Sequence, residues 1–201
     1  MNTKKLIIYD FDGVVVDSRE AIYMYYNMLM EHFGFPKPEW DEQLKTLALG
    51  ASNRQFLSMF AEGQLLNEMS LYVPEFTKEQ IYEAAPLCKG FKEALAMLKD
   101  SYNFAICTNR GSSLDDYMDY YGLNEYFSFT VTALDVWQPK PSPEGIYKIC
   151  EHYDNKNPLF VGDTSTDLAT ARAAGVRFLA FGASVEGSPF ITDHRNIIDY
   201  L

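Results

Sequence analysis

Apolar and polar positions change period several times along the chain, and each change marks an element. Residues 4–9 form a short apolar run that predicts a buried strand of a parallel sheet, closed by the acidic turn Asp10-Phe11-Asp12-Gly13. After Ser18 the spacing becomes helical: Ile22, Tyr25, Tyr26, Leu29 and Phe33 share a face, and Gly34-Phe35-Pro36 ends the run. Nothing then reads as strand until about Pro86. Leu44, Leu47 and Ala48, then Phe56, Met59 and Phe60, then Leu65, Leu66 and Met69, then Ile81, Ala84 and Ala85 predict several short amphipathic helices. Helical spacing by itself predicts burial, so these Met and Tyr stripes are read as packing and carry no chemistry.

From Cys88 onward strand and helix alternate. Phe91, Ala94, Leu95 and Leu98 fall on one helical face, and 103–107 reads as a strand ending at Thr108-Asn109-Arg110-Gly111. Leu114, Tyr117, Met118 and Tyr121 mark the next helix, and 129–133 the next strand. Ser142 as N-cap with Pro143 in the first helical position opens a helix that buries Ile146, Ile149, Cys150 and Tyr153. A strand over 158–162, an alanine-rich helix over 167–174 capped by Gly175, and a strand over 176–181 follow. The tail with Ile197, Ile198 and Leu201 is a last helix or a docked end. Such alternation implies right-handed crossovers and an α/β fold with a mostly parallel, doubly wound, Rossmann-like sheet. The expected core is 1–16 with 88–201, and 17–87 is expected as a small all-helical domain inserted after the first strand.

Composition narrows the partners. Hydrophobic residues make up 47% and charged residues 22% of 201, as in an ordinary soluble protein. A formal net charge of -11, with no Lys/Arg cluster, sets the field against a nucleic-acid partner. Cys88, Cys107 and Cys150 are far apart and lie in apolar segments, so buried reduced thiols and a cytoplasmic setting are expected. The apolar run before Asp10 is too short for a signal peptide or a membrane span.

The chemistry begins at Asp10 and Asp12. Alternation along a strand projects both carboxylates to one side, where they suit a divalent cation, acid/base work or nucleophilic attack. Asp and Gly after a strand are also ordinary turn residues, so this stretch alone leaves both readings open. Three later clusters, Thr108/Asn109, Lys140 and Asp163/Asp167, also follow predicted strands. In an open α/β sheet, ligands bind beyond the carboxyl ends of the strands, which would bring the four clusters together. Asp10, Asp12 and Asp163 offer hard oxygens for Mg2+. Thr108 and Asn109 can donate to phosphate oxygens, and Lys140 supplies a positive charge among the carboxylates. The set reads as a phosphoryl-transfer site.

Taken together, DFDGVVVDS at 10–18, CTN at 107–109, KPSPEG at 140–145 and GDTSTD at 162–167 resemble the haloacid dehalogenase superfamily of phosphohydrolases. With its helical insert, the chain looks like the branch of phosphoglycolate phosphatase and beta-phosphoglucomutase, in which the insert is a cap domain. The resemblance implies a Mg2+-dependent phosphatase of small phosphorylated metabolites, acting through an aspartyl-phosphate on Asp10. It implies that Asp12 serves as acid and then base, and that Thr108, the Asn109 backbone and Lys140 hold the phosphoryl oxygens. The metal would be held by Asp10, the Asp12 carbonyl and Asp163, with Asp167 in its outer shell; Asp167 equally suits a first helical turn. A monomer or homodimer is the expected assembly.

A dehalogenase or phosphonate-cleaving enzyme of the superfamily lacks the carboxylate at the position of Asp12. A phosphomutase shares it and is the alternative, followed by a catalytically inactive binding protein on the same fold. Leu49-Gly50-Ala51-Ser52-Asn53-Arg54 resembles a substrate-contacting cap loop, although Arg54 lies one residue later than the mutase pattern places it. Arg54 is therefore a candidate substrate contact or a solvated helix residue, and Arg110 is a second candidate for a substrate carboxylate or phosphate.

Overall fold

A computed structural model describes residues 4–50, 53–75, 77–111 and 113–201. Its contacts group the chain into two compact units, Met1–Asp17 with Leu87–Leu201, and Ser18–Pro86.

The first unit is built on a parallel sheet of six strands in the order β3-β2-β1-β4-β5-β6. The strands are β1 (Lys5–Tyr9), β2 (Tyr102–Cys107), β3 (Phe127–Val131), β4 (Leu159–Gly162), β5 (Arg177–Phe181) and β6 (Phe190–Ile191). Because β2 and β4 flank β1 on opposite sides, the order reverses at β1, and such a switch point, beyond the carboxyl ends of the strands, is where open α/β sheets bind ligands. The apolar run Leu6-Ile7-Ile8-Tyr9 is fully buried, as a strand covered on both faces requires. On one face Leu6, Ile8, Ala105 and Phe160 pack with Ile146 and Ile149 of α8 (Glu144–Tyr153) and Ala171 of α9 (Ser165–Ala174). On the other face the Tyr9 ring meets Phe91 of α6 (Phe91–Leu98), together with Phe104, Phe127 and His194.

His194 opens a 3-10 helix, His194–Tyr200, that forms the end of the chain's described structure. Its ring stacks on Phe181 at 4.1 Å, and its Nε2 lies 2.8 Å from the Val14 carbonyl, which makes Nε2 the protonated nitrogen. Burial lowers its pKa to about 4, well below the usual histidine range. The tail is thus docked, and it ties down the turn that follows β1.

The second unit is helical: α1 (Arg19–His32), α2 (Glu42–Gly50), α3 (Asn53–Leu57), α4 (Gly63–Leu71) and α5 (Lys78–Glu83). Its core gathers Tyr26, Leu29, Met30, Ala48, Phe56, Leu57, Leu66 and Met69, with Tyr26 stacked on Phe56 at 3.9 Å. Thr77 caps α5 with a reciprocal box: its side chain accepts from the Gln80 amide, and the Gln80 side chain accepts from the Thr77 amide.

Several sequence expectations are corrected. Met59 is exposed because α3 ends at Leu57 and the chain turns beyond it, Leu65 is exposed on α4, and Tyr82 rather than Ile81 is the buried residue of α5. The third strand begins at Phe127, two residues early, and β6 is additional. Helix α8 starts at Glu144 with Pro143 in the cap position, while the Ser142 hydroxyl accepts from the Glu144 amide at 3.4 Å. Helix α9 starts at Ser165, ahead of Asp167. All three cysteines are free thiols, but only Cys107 is buried. Ala51 and Ser52 of the candidate cap loop lie outside the described residues. Among the described residues no helix is long and apolar enough to cross a membrane.

Candidate active site

Strand β1 delivers Asp10 to the switch point, where its amide donates to the Val161 carbonyl of β4 at 2.8 Å. The chain then turns at once, with the amides of Val14, Val15 and Val16 converging on the Phe11 carbonyl. Gly13 has φ +79°, and a Cβ there would stand 2.0 Å from Asp163 Oδ2. Both the left-handed backbone and the close approach of Asp163 call for glycine.

Strand β4 ends at Gly162, and Asp163 follows directly on it. Asp167 sits one helical turn into α9 and is fully buried. Its Oδ2 accepts from the Thr164 hydroxyl at 2.6 Å and the Thr164 amide at 3.1 Å, while the Thr164 hydroxyl oxygen accepts from the Asp167 amide at 3.2 Å. The helix start therefore fixes the carboxylate and is fixed by it. A Cβ on Gly162 would lie 2.4 Å from the Asp167 Cβ, so this packing admits only glycine.

Lys140 joins the two acids. Its Nζ lies 2.7 Å from Asp10 Oδ1 and 2.6 Å from Asp167 Oδ1, with its side chain 6% exposed. The loop that carries Lys140 is held by Asn109, whose side chain accepts from the Lys140 amide at 2.9 Å and donates to its carbonyl at 3.0 Å. Thr108, at the end of β2, is buried, and its hydroxyl oxygen accepts from the Arg110 amide at 3.1 Å, which leaves the hydroxyl hydrogen to donate elsewhere.

One carboxylate oxygen from each of Asp10, Asp163 and Asp167 lies within 4.8 Å of the others. Asp163 Oδ1 is buried without a hydrogen-bond donor, and the buried Asp10 Oδ1 has the Lys140 ammonium as its partner at 2.7 Å. Burial first, then the Asp167 carboxylate, pushes the Asp10 carboxyl up to about 7 against the pull of Lys140. Burial, with Asp10 and Asp167 adding to it, pushes Asp163 up to about 8. Burial would lower Lys140, but Asp10 and Asp167 outweigh it and hold the ammonium charged.

Asp12 stands apart from this acidic group. Its carboxylate faces Arg110, whose Nε donates to Oδ2 at 3.0 Å and whose Nη2 donates to Oδ1, a two-pronged pair. Arg110 Nη1 donates to Ser113 Oγ at 3.0 Å, and the guanidinium lies over the rings of Tyr117, on α7 (Leu114–Tyr120), at 4.5 Å and Phe11 at 5.3 Å. Arg54, in the helical unit, is exposed and donates from Nη1 to Asn67 at 2.8 Å. Of the candidate residues, Asp10, Thr108, Asn109, Arg110, Lys140, Asp163 and Asp167 thus meet with Asp12 in the first unit, and Arg54 belongs to the second.

Sequence reasoning passed over Thr164, Ser113, Tyr117 and His194. Thr164 was discoverable, since Thr three residues before an acid at a helix start is a capping pattern.

The model of the haloacid dehalogenase-like hydrolase family matches residues 7–181, which carry the sheet from Ile7 of β1 to the end of β5 and leave out β6. The chain belongs to that family. A phosphoglycolate phosphatase from Haemophilus influenzae is 28% identical over 189 residues, covering 87% of this chain and 84% of that protein. The pyrophosphatase PpaX of Bacillus mycoides is 23% identical, covering 94% of this chain and 88% of that protein. A crystal structure of a HAD-superfamily hydrolase, subfamily IA, variant 1, from Geobacter sulfurreducens superposes with a TM-score of 0.81 at 34% identity, covering 99% of this chain and 97% of that one.

Proposed function

We propose that this hydrolase is a Mg2+-dependent phosphatase of small phosphorylated metabolites that works through an aspartyl-phosphate. The observation that carries the reading is Asp10, buried at the switch point with its Oδ1 2.7 Å from the Lys140 ammonium and next to Asp163, whose Oδ1 is buried with no hydrogen-bond donor. With that orphaned oxygen, Asp10, Asp163 and Asp167 make a hard, anionic donor set, and buried carboxylates so arranged fit a divalent cation. Asp10, Asp163 and the Asp12 carbonyl would hold it, with Asp167 behind them on Lys140 and Thr164. When bound, Mg2+ would offset carboxylate repulsion and the charge of the transferring phosphoryl group.

In the proposed reaction a carboxylate oxygen of Asp10 attacks phosphorus. The bond from phosphorus to the leaving oxygen breaks, and that oxygen takes its electron pair and a proton from Asp12. Asp12, now a carboxylate, removes a proton from water as the water oxygen attacks phosphorus. The bond to Asp10 breaks, freeing phosphate and restoring both acids. Thr108, through its uncommitted hydroxyl hydrogen, and Lys140 would bind the phosphoryl oxygens, and Asn109 keeps Lys140 in place.

The test is phosphate release from p-nitrophenyl phosphate. It should require Mg2+ and fall by at least about a thousandfold in Asp10→Asn, the order expected when a nucleophile is removed. Persisting release in that variant would sink the mechanism. A sugar phosphate returned as its isomer, with little free phosphate, would instead identify a mutase.

A further inference from the structure

Arg110 is anchored independently of Asp12. Its guanidinium lies over the Tyr117 and Phe11 rings and donates to Ser113 Oγ, contacts in which Asp12 takes no part. Asp12, by contrast, has both carboxylate oxygens on the guanidinium fork, and its side chain is 32% exposed against 15% for Arg110. A carboxylate paired in this way is held on the fork as an acceptor, and to carry a proton for a leaving group it has to give up one of the two oxygens that the guanidinium engages. For Asp12 to act on a substrate it has to leave the fork, and an arginine left without its anion at a partly buried site is costly. The exchange is favourable when another planar anion takes the place of Asp12.

We propose that Arg110 determines the specificity of this site: its guanidinium exchanges Asp12 for a second anionic group, a carboxylate or phosphate carried on the leaving portion of the substrate. Binding of such a substrate releases Asp12 for proton transfer, whereas a neutral leaving portion leaves Asp12 held. The inference rests on the phosphatase reading and adds a substrate class to it, phosphate monoesters or anhydrides that bear a further anion.

The experiment compares 2-phosphoglycolate with ethyl phosphate, which are close in size and differ by one carboxylate. Wild-type kcat/KM should favour phosphoglycolate by about tenfold to a hundredfold, the range of one charge-assisted pair. In Arg110→Ala that ratio should collapse toward one, and in Arg110→Lys, which keeps the charge but not the fork, it should fall between. Calorimetry on Asp10→Asn, with and without Arg110→Ala, should give the same ordering for phosphonoacetate against ethylphosphonate, without turnover. A ratio near one in the wild type, or a ratio that survives Arg110→Ala while both substrates decline equally, would overturn the proposal. Loss of Asp10-dependent aryl phosphatase activity alone would count against the phosphatase reading, while the calorimetric ratio would still decide the role of Arg110.

Discussion

Removing the ammonium of Lys140 would leave Asp10 and Asp167, both buried, without their shared counter-charge. Breaking a buried pair from one side costs about 3–5 kcal/mol, because the remaining charge is stranded. Lys140→Met should lower stability by that order in urea unfolding, and adding Asp167→Asn should recover part of the loss. If the two losses simply added, the residues would be uncoupled. His194 gives a second test, this time of pH. The unfolded histidine takes up a proton near 6.5 and the folded one only near 4, so the unfolded state binds more protons between these values. The contribution is fully present above pH 6.5 and is lost as pH falls toward 4, reaching about 2 kcal/mol by pH 5. Between pH 7 and 5 the wild type should lose stability more steeply than His194→Gln; parallel curves would show that the ring titrates normally.

Helix α9 joins a cap to a charge site. Thr164→Val removes the hydroxyl that serves both the Asp167 amide and carboxylate, and should cost about 1 kcal/mol, while Thr164→Ser should stay close to wild type. Equal losses in both variants would mean that the methyl group, not the cap, matters. Elements like this one were legible in the sequence because their signals are local: β1, β2, β4 and β5 are compact apolar runs, and α6 buries Phe91, Ala94, Leu95 and Leu98 at helical spacing. The edge strand β3 was less legible, since its register slips between the pairs Phe104–Phe127 and Ala105–Phe129, an irregularity that breaks the period of two at its start. Strand β6 has two residues, too few for any period, and exists through long-range bonds such as Gly182 N–H to the Ile191 carbonyl. The acids and Lys140 could be proposed from strand-end position, but the pairing of Asp12 with Arg110 joins residues 98 positions apart and left no sequence trace.

Each of the two units has its own apolar core, so each can fail separately. Phe56 is fully buried and stacked on Tyr26 in the helical unit, and Phe56→Ala should destabilise that unit by about 3–5 kcal/mol. Native-state hydrogen exchange should then quicken across Ser18–Pro86 while the amides of β1, β2 and β4 keep their protection. Uniform loss over both units would show that they unfold as one. The first unit closes on itself where the chain departs and comes back: Val16 and Leu87 form an antiparallel bridge, and the Cys88 amide donates to the Val15 carbonyl at 2.9 Å. In architectural terms the helical unit is the distended loop of a hairpin whose stem belongs to the sheet domain. Excising residues 18–86 and joining the stem by a four-residue turn would shorten the loop to be closed, lowering the entropic cost of closure by about 2.5 kcal/mol. With its own apolar core intact, the trimmed chain should unfold cooperatively in urea as a sheet domain that keeps the acidic cluster and has lost its insert; a non-cooperative transition would show that the insert is needed.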